Sequence, residues 1–332
     1  MVAEGGHHNP AVAGRAGLPV RLGITTPVLT LLPGWHAPWE VEGDIEDVAL
    51  VARTAESLGY FHLTCSEHVV VPTGVAATRG SRYWDPLATF GYLAAVTSRI
   101  RLATNVLVLG YHHPLEIAKR YGTLDQVSSG RLILGLGVGS LEEEFDLLGV
   151  DFEGRGARAD DALSALRASI STDRPSYEGP FYRYSDVVVD PCARQSAVPL
   201  WIGGRTVRSL RRAVELGDGW APFAVRAADV GVMIERARTT AAWAARTSPL
   251  DVVLRNGRPL DPLSDQDGAR KVVDRLIGAG ATDLQLGFVH RSRAHYLEQL
   301  GAMVELVGEM ATIDAPGPGE AGGPGDVGVR AR

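Results

Sequence analysis

Cysteine is almost missing from this chain. Only Cys65 and Cys192 occur, in no metal-ligating or dithiol spacing, which argues against a disulfide framework, a zinc site or thiol redox chemistry. A reducing cytoplasm is the simplest setting, with Cys65 read as a small buried hydrophobe. No apolar run approaches the roughly 18 residues that a membrane span requires. The opening "MVAEGGHHNPAVAGRAGLP" lacks the basic start and hydrophobic run of a secretory signal. Clusters of Lys and Arg interleaved with aromatics are also lacking, and the formal charge is -6, so nucleic acid and anionic membranes have no electrostatic footing as partners. Finally, no G-x-G-x-x-G follows the first β-like run, which weakens an open dinucleotide-binding sheet.

What remains is an ordinary globular composition, 45% hydrophobic and 22% charged over 332 residues, a length that suits two domains or one α/β barrel. Residues 1–19 and 313–332 are Gly-, Ala- and Pro-rich and read as disordered tails around a single domain at 20–312. Within that domain eight β-like runs alternate with helical stretches. They are Val20–Thr26, Phe61–Val69, Ile100–Leu109, Arg131–Gly139, Val198–Gly204, Gly219–Phe223, Asp251–Arg255 and Asp283–Val289. Several are nearly continuous apolar runs, as strands buried on both faces are. Asp44 is placed to cap a helix that Gly59 ends, and Pro114 opens another that Gly130 closes. Eight such alternations favour a (β/α)8 barrel, with an open doubly wound sheet as the runner-up. Two long excursions, after the second and fourth runs, leave the carboxyl ends of strands, where barrels build active sites. The second contains "EGPFYRYSDVVVDP", which alternates like a hairpin and is expected over the barrel mouth.

Several short constellations carry candidate chemistry. In "GRLILGLGVGS" the glycines at 135, 137 and 139 recur every second residue and leave one strand face bare. That pattern relieves crowding in a barrel interior, or permits close approach of a ligand. His68 in "SEHVVVP" ends the second run, as a strand-end cap or as a donor to a substrate oxygen. Its neighbour Glu67 faces the other way along a strand and reads as an anchor. In "IGGRTVRSL", Gly203 and Gly204 permit backbone approach, Arg205 adds a cation, and Thr206 begins a helix whose free amides suit a phosphate; plain helix capping by Thr206 is the alternative. The run "LEEEF" suits a helix start for dipole reasons, and without histidine partners it is no metal site. His112 and His113 lie at the mouth and could touch a ligand, and Trp35, Trp39, Tyr83 and Trp84 could wall a pocket.

"SEHVVVP", the segment Ala103–Arg158, "YEGPFYRYSDVVVDP", "VPLWIGGRTVRSLRRAVELGDGWAPF" and "GATDLQLGF" occur in an order that resembles the luciferase-like monooxygenase superfamily, and within it the coenzyme F420-dependent oxidoreductases. The resemblance spans roughly Val20 to Val307. It implies a (β/α)8 barrel, a homodimer and a flavin-type ring across the barrel mouth. Gly137 and Gly139 would then make room for the ring, with Ser140 beside it. Thr104, Asn105 and Val106 would form a bulge containing a cis non-prolyl peptide that supports the ring's centre. Gly203, Gly204, Arg205 and Thr206 would take the phosphate, and His68 would be the active-site histidine. One departure stands out: some relatives carry a catalytic glutamate where this chain has Ser140. Three activities are compatible with the resemblance. The first is F420-dependent hydride transfer to a small enone, imine or carbonyl. The second is FMN-dependent oxygenation fed by a separate reductase, and the third a non-catalytic flavin-binding or partner barrel.

Overall fold

A computed structural model describes residues 20–308 and the backbone of 311–312; the expected tails lie outside the described residues. Eight parallel strands form the barrel: β1 (Val20–Thr25), β2 (His62–Cys65), β3 (Arg101–Thr104), β4 (Leu132–Gly137), β5 (Leu200–Gly203), β6 (Gly219–Ala221), β7 (Asp251–Arg255) and β8 (Asp283–Leu286). They pair in chain order, and β8 closes on β1 with Gly23 opposite Gln285. Eight helices alternate with them: α1 (Ile45–Ser57), α2 (Pro86–Val96), α3 (Pro114–Val127), then, past the short mouth helix Glu142–Leu147, α4 (Arg155–Ser169), followed by α5 (Val207–Leu216), α6 (Ala227–Arg238), α7 (Gln266–Gly278) and α8 (Arg293–Val307). All eight β-like runs therefore become barrel strands, each shorter than or equal to the expected run. A two-residue strand, Leu107–Val108, resumes after β3 and pairs with the upper end of β4.

Local chemistry explains the boundaries. Asp44 caps α1 in a reciprocal capping box, accepting from the Glu46 and Asp47 amides, and Gly59 leaves the helix at a φ of 80°. Pro114 occupies the first turn of α3, where its missing N–H costs nothing, and Gly130 follows at a φ of 84°. The antiparallel pair Tyr177–Glu178 and Arg183–Tyr184 is the expected hairpin, but none of its residues lines the cavity at the barrel mouth. Asp161 on α4 accepts from the Tyr177 hydroxyl and from the Phe181 and Tyr182 amides, which fastens the hairpin to the outer helical ring.

The main apolar core lies between strands and helices, and a second cluster of Ala103, Ile133, Trp201 and Val253 fills the barrel itself. Missing side chains make this inner layer possible. A Cβ on Gly23 would stand 2.1 Å from the His62 ring, and one on Gly219 would stand 2.4 Å from Trp201. His62 packs edge-on against Trp201 with both ring nitrogens buried and without a hydrogen-bond partner among the described residues, while Arg21 joins Asp251 and Asp283 beside them. Burial, and then the Arg21 charge, push the His62 pKa down to about 3.

A pH dependence follows. The folded chain holds His62 neutral while the unfolded chain protonates it near pH 6.5, so this contribution to stability is complete above about pH 6.5 and is lost as pH falls toward 3. Urea unfolding of wild type and His62→Phe should show a stability difference that moves in the variant's favour by about 1.4 kcal/mol per pH unit below about pH 6. A difference that stays constant down to pH 4 would contradict the depressed pKa.

Candidate active site

The carboxyl ends of the strands surround a cavity of about 760 Å³, within the size range of ordinary ligand sites. Its floor is built by the segment between β3 and Leu107–Val108. The Asn105–Val106 peptide is cis, as the resemblance implies. The Asn105 side chain donates to Gln285 (2.8 Å), its carbonyl accepts from the Ser66 hydroxyl (2.8 Å), and its amide donates to the Cys65 carbonyl. Gln285 in turn donates to the hydroxyls of Thr25 and Thr64, so polar groups from three strands lock together with the segment that follows β3 inside the barrel.

The strand glycines answer to this floor. A Cβ on Gly135 would lie 1.9 Å from the Thr104 carbonyl oxygen, one on Gly137 would lie 2.6 Å from Val106 Cγ2, and one on Gly203 would lie 2.8 Å from Val106 Cγ1. Val106 therefore seats both its methyls in space that two neighbouring strands leave empty. Gly139, at a φ of 79°, makes way for the Phe145 ring. The bare strand face thus first accommodates the chain's own atoms, and Val106 presents the surface that a ligand would meet.

Ten of the eleven site residues that the resemblance implies line this cavity: His68, Asn105, Val106, Gly137, Gly139, Ser140, Gly203, Gly204, Arg205 and Thr206. Thr104 does not reach it; its hydroxyl donates to the Gly135 carbonyl beneath the floor (2.7 Å). Among the mouth aromatics, Trp35 and Tyr83 line the cavity. Trp39 instead donates to His290, and Trp84 packs against the core. Neither His112 nor His113 lines it. His112 is bound to Glu67 (2.7 Å), and His113 packs edge-on against Tyr182. Glu67 also accepts from the Val108 amide (2.7 Å), which fits the anchoring role.

Glu144, the third acid of "LEEEF", is the residue that sequence reasoning passed over. It is fully buried, with Oε1 accepting from the Val69 and Val70 amides and Oε2 from the Tyr111 hydroxyl (2.8 Å) and His68 Nδ1 (2.6 Å). Burial by itself would raise its pKa, but the bonds from His68, Tyr111 and Val70 outweigh that and hold it below the usual glutamate value. An ionised carboxylate only accepts, so His68 donates through Nδ1 and its Nε2 is left without a protein partner among the described residues. The Tyr83 ring stands edge-on to His68 at 4.5 Å. A signal was present in the sequence: Leu141, Glu144, Phe145 and Leu148 share one helical face.

At the opposite rim, Thr206 caps α5 in a reciprocal box with Ser209, so the capping reading holds. The next amides, of Val207 and Arg208, have no protein acceptor among the described residues. Arg205, Arg208 and Arg155 line the same cavity, with Arg155 at the start of α4 fixed by the Gly139 and Phe152 carbonyls. Helix amides together with guanidinium groups make a corner suited to a phosphate.

Comparison with known proteins agrees with this architecture. The family model for luciferase-like monooxygenases matches residues 26–313. An uncharacterized protein of Mycobacterium tuberculosis is 30% identical over 271 residues, covering 76% of this chain and 92% of that protein. Two solved structures share the fold. The monooxygenase RslO1 from Streptomyces bottropensis superposes with a TM-score of 0.69 at 20% identity, covering 86% of this chain and 98% of its own. A coenzyme F420-dependent tetrahydromethanopterin reductase from Methanopyrus kandleri superposes with a TM-score of 0.66 at 17% identity, covering 89% and 99%.

Two substitutions test the construction. Glu144→Leu strands two amides, a phenol and an imidazole, and should cost about 3 kcal/mol in chemical denaturation, whereas Glu142→Gln and Glu143→Gln on the exposed face should stay within about 0.5 kcal/mol. Gly137→Ala, by crowding Val106, should cost about 1–3 kcal/mol.

Proposed function

The chain belongs to the luciferase-like monooxygenase family, and from that premise we propose that it is an oxidoreductase using coenzyme F420 to move a hydride to or from a small organic substrate. The observation that carries this reading is the pairing, in one cavity, of a phosphate-suited corner at α4 and α5 with a partnerless His68 Nε2. The donor set fits a flavin-type group: Val106 offers an apolar floor, the Val207 and Arg208 amides with Arg155, Arg205 and Arg208 would hold a phosphate, and Trp35 and Tyr83 flank the opening. Six arginines line the cavity against two glutamates, Glu40 and Glu67, both already engaged, which favours the more anionic deazaflavin over FMN.

A deazaflavin held by Val106, Arg155, Arg205, Arg208 and the Val207 and Arg208 amides would supply the hydride chemistry toward an enone, imine or carbonyl. The protein's own part is protonic. With Nδ1–H committed to Glu144, the His68 imidazolium has one free proton, on Nε2, to give to the substrate heteroatom as negative charge develops there. In the reverse direction the neutral ring presents a lone pair at the same atom and removes the proton of an alcohol. Glu144 supports the charged ring, and Tyr83 shields it from water on one side.

FMN-dependent oxygenation is the second reading, supported by the likeness to a monooxygenase of the same fold. Titration of the purified chain with F420 and with FMN, in both redox states and followed by quenching of tryptophan fluorescence, separates the two. F420 should bind at least tenfold more tightly; tight FMN binding with indifference to F420 would favour oxygenation. His68→Ala should lower turnover by about 10²–10⁴-fold while cofactor affinity changes little. Full activity in that variant would remove His68 from the mechanism.

A further inference from the structure

Of the six arginines in the cavity, five sit at its edges or are already engaged. Arg79 reaches Ser140 (3.3 Å), Arg155 is held by two carbonyls, Arg212 is paired with Asp160, and Arg205 and Arg208 stand exposed at the start of α5. Arg255 differs from all of them. It is the last residue of β7 and lies in register with Gln285 of β8. Register partners in a parallel sheet project to the same face, and Gln285 projects into the barrel, so Arg255 does too.

No hydrogen bond, ion pair or ring contact engages Arg255 among the described residues, and burial lowers its pKa with no carboxylate to offset the effect. A guanidinium stays charged in any such setting, so the fold retains an uncompensated cation at the top of its interior. The frame that carries it is rigid. The buried side chain of Asn256 donates to the Gly287 and Arg258 carbonyls and accepts from the Gly287 amide, pinning the end of β7 to the end of β8.

The surroundings describe what would complete this cation. Phe223 follows β6 on one side, and Gly287 follows β8 on the other with the Trp35 ring packed near it. The phosphate corner lies two strands away, on the order of 10 Å at about 4.8 Å per strand. One planar charge among apolar walls fits a small molecule with one oxyanion and an apolar body. We propose that Arg255 is a substrate-binding residue and that the substrates of this enzyme are carboxylates, the carboxylate being taken by the Arg255 guanidinium. This assignment deepens the oxidoreductase reading and rests on it in treating the cavity as a substrate site.

The test titrates benzoate, cinnamate and 2-naphthoate, each beside its amide, into the cofactor-free chain by calorimetry. At least one acid should bind tenfold or more tightly than its amide. That ratio should fall to within twofold in Arg255→Met and be partly kept in Arg255→Lys. No preference for any acid, or a preference that survives Arg255→Met, would overturn the proposal. F420 and FMN affinities should stay within about twofold in Arg255→Met; a tenfold loss would assign the guanidinium to the cofactor and overturn it as well. The melting temperature of Arg255→Met should equal or exceed that of wild type, since a half-buried charge with no partner among the described residues is removed, and a fall of several degrees would make Arg255 a structural residue instead. Because the acids are titrated without cofactor, a chain that binds neither F420 nor FMN would refute the oxidoreductase reading and leave this result interpretable.

Discussion

The seating of Val106 between Gly137 and Gly203 is the contact on which the site depends. Two strands give up their side chains at the same height, and one valine from a third fills both vacancies. A larger residue at either glycine would push the valine upward and the cavity floor with it. Asn105 is placed by the same arrangement, because its side chain must cross the axis to Gln285 while Ser66 holds its carbonyl. Packing and polar satisfaction therefore fix one surface together, the combination that gives interiors a single arrangement.

Buried carboxylates do similar work around the rim. Glu67 ties His112 and the Val108 amide to the end of β2, and Glu144 gathers two backbone amides, Tyr111 and His68. Each acid is costly to bury and is repaid by several donors at once. With the acids so engaged, the arginines set the sign of the cavity. A chain of net charge -6 thus presents a positive hollow, and field lines concentrate there in favour of anionic ligands.

Much of the fold was legible because it rests on local rules. Apolar runs of strand length marked all eight staves, and Asp44, Pro114, Gly59 and Gly130 marked helix ends through capping and backbone geometry. The site was legible in part: residues at strand ends fall into the mouth of any such barrel, so most candidates converged. What escaped depends on contacts between distant segments. The glycines of β4 announced a close approach without saying that Val106 was what approached. The third acid of "LEEEF" looked like its two solvated neighbours, although only Glu144 falls on the helical face with Leu141 and Phe145. The Tyr177–Tyr184 hairpin was recognised as a hairpin, but its berth on Asp161 of α4 is a tertiary fact. Arg255 read as the end of an ordinary strand, since the lack of a partner is invisible until every neighbour has been placed.

The plug at the opposite end of the barrel has a consequence for traffic. Ala103, Ile133, Trp201 and Val253, with His62 wedged into the gap at Gly23, stop the axis below the floor. The hollow is therefore closed beneath its floor and lies open toward the carboxyl ends of the strands. Solvent therefore reaches a molecule bound there from the loop side and not along the barrel axis.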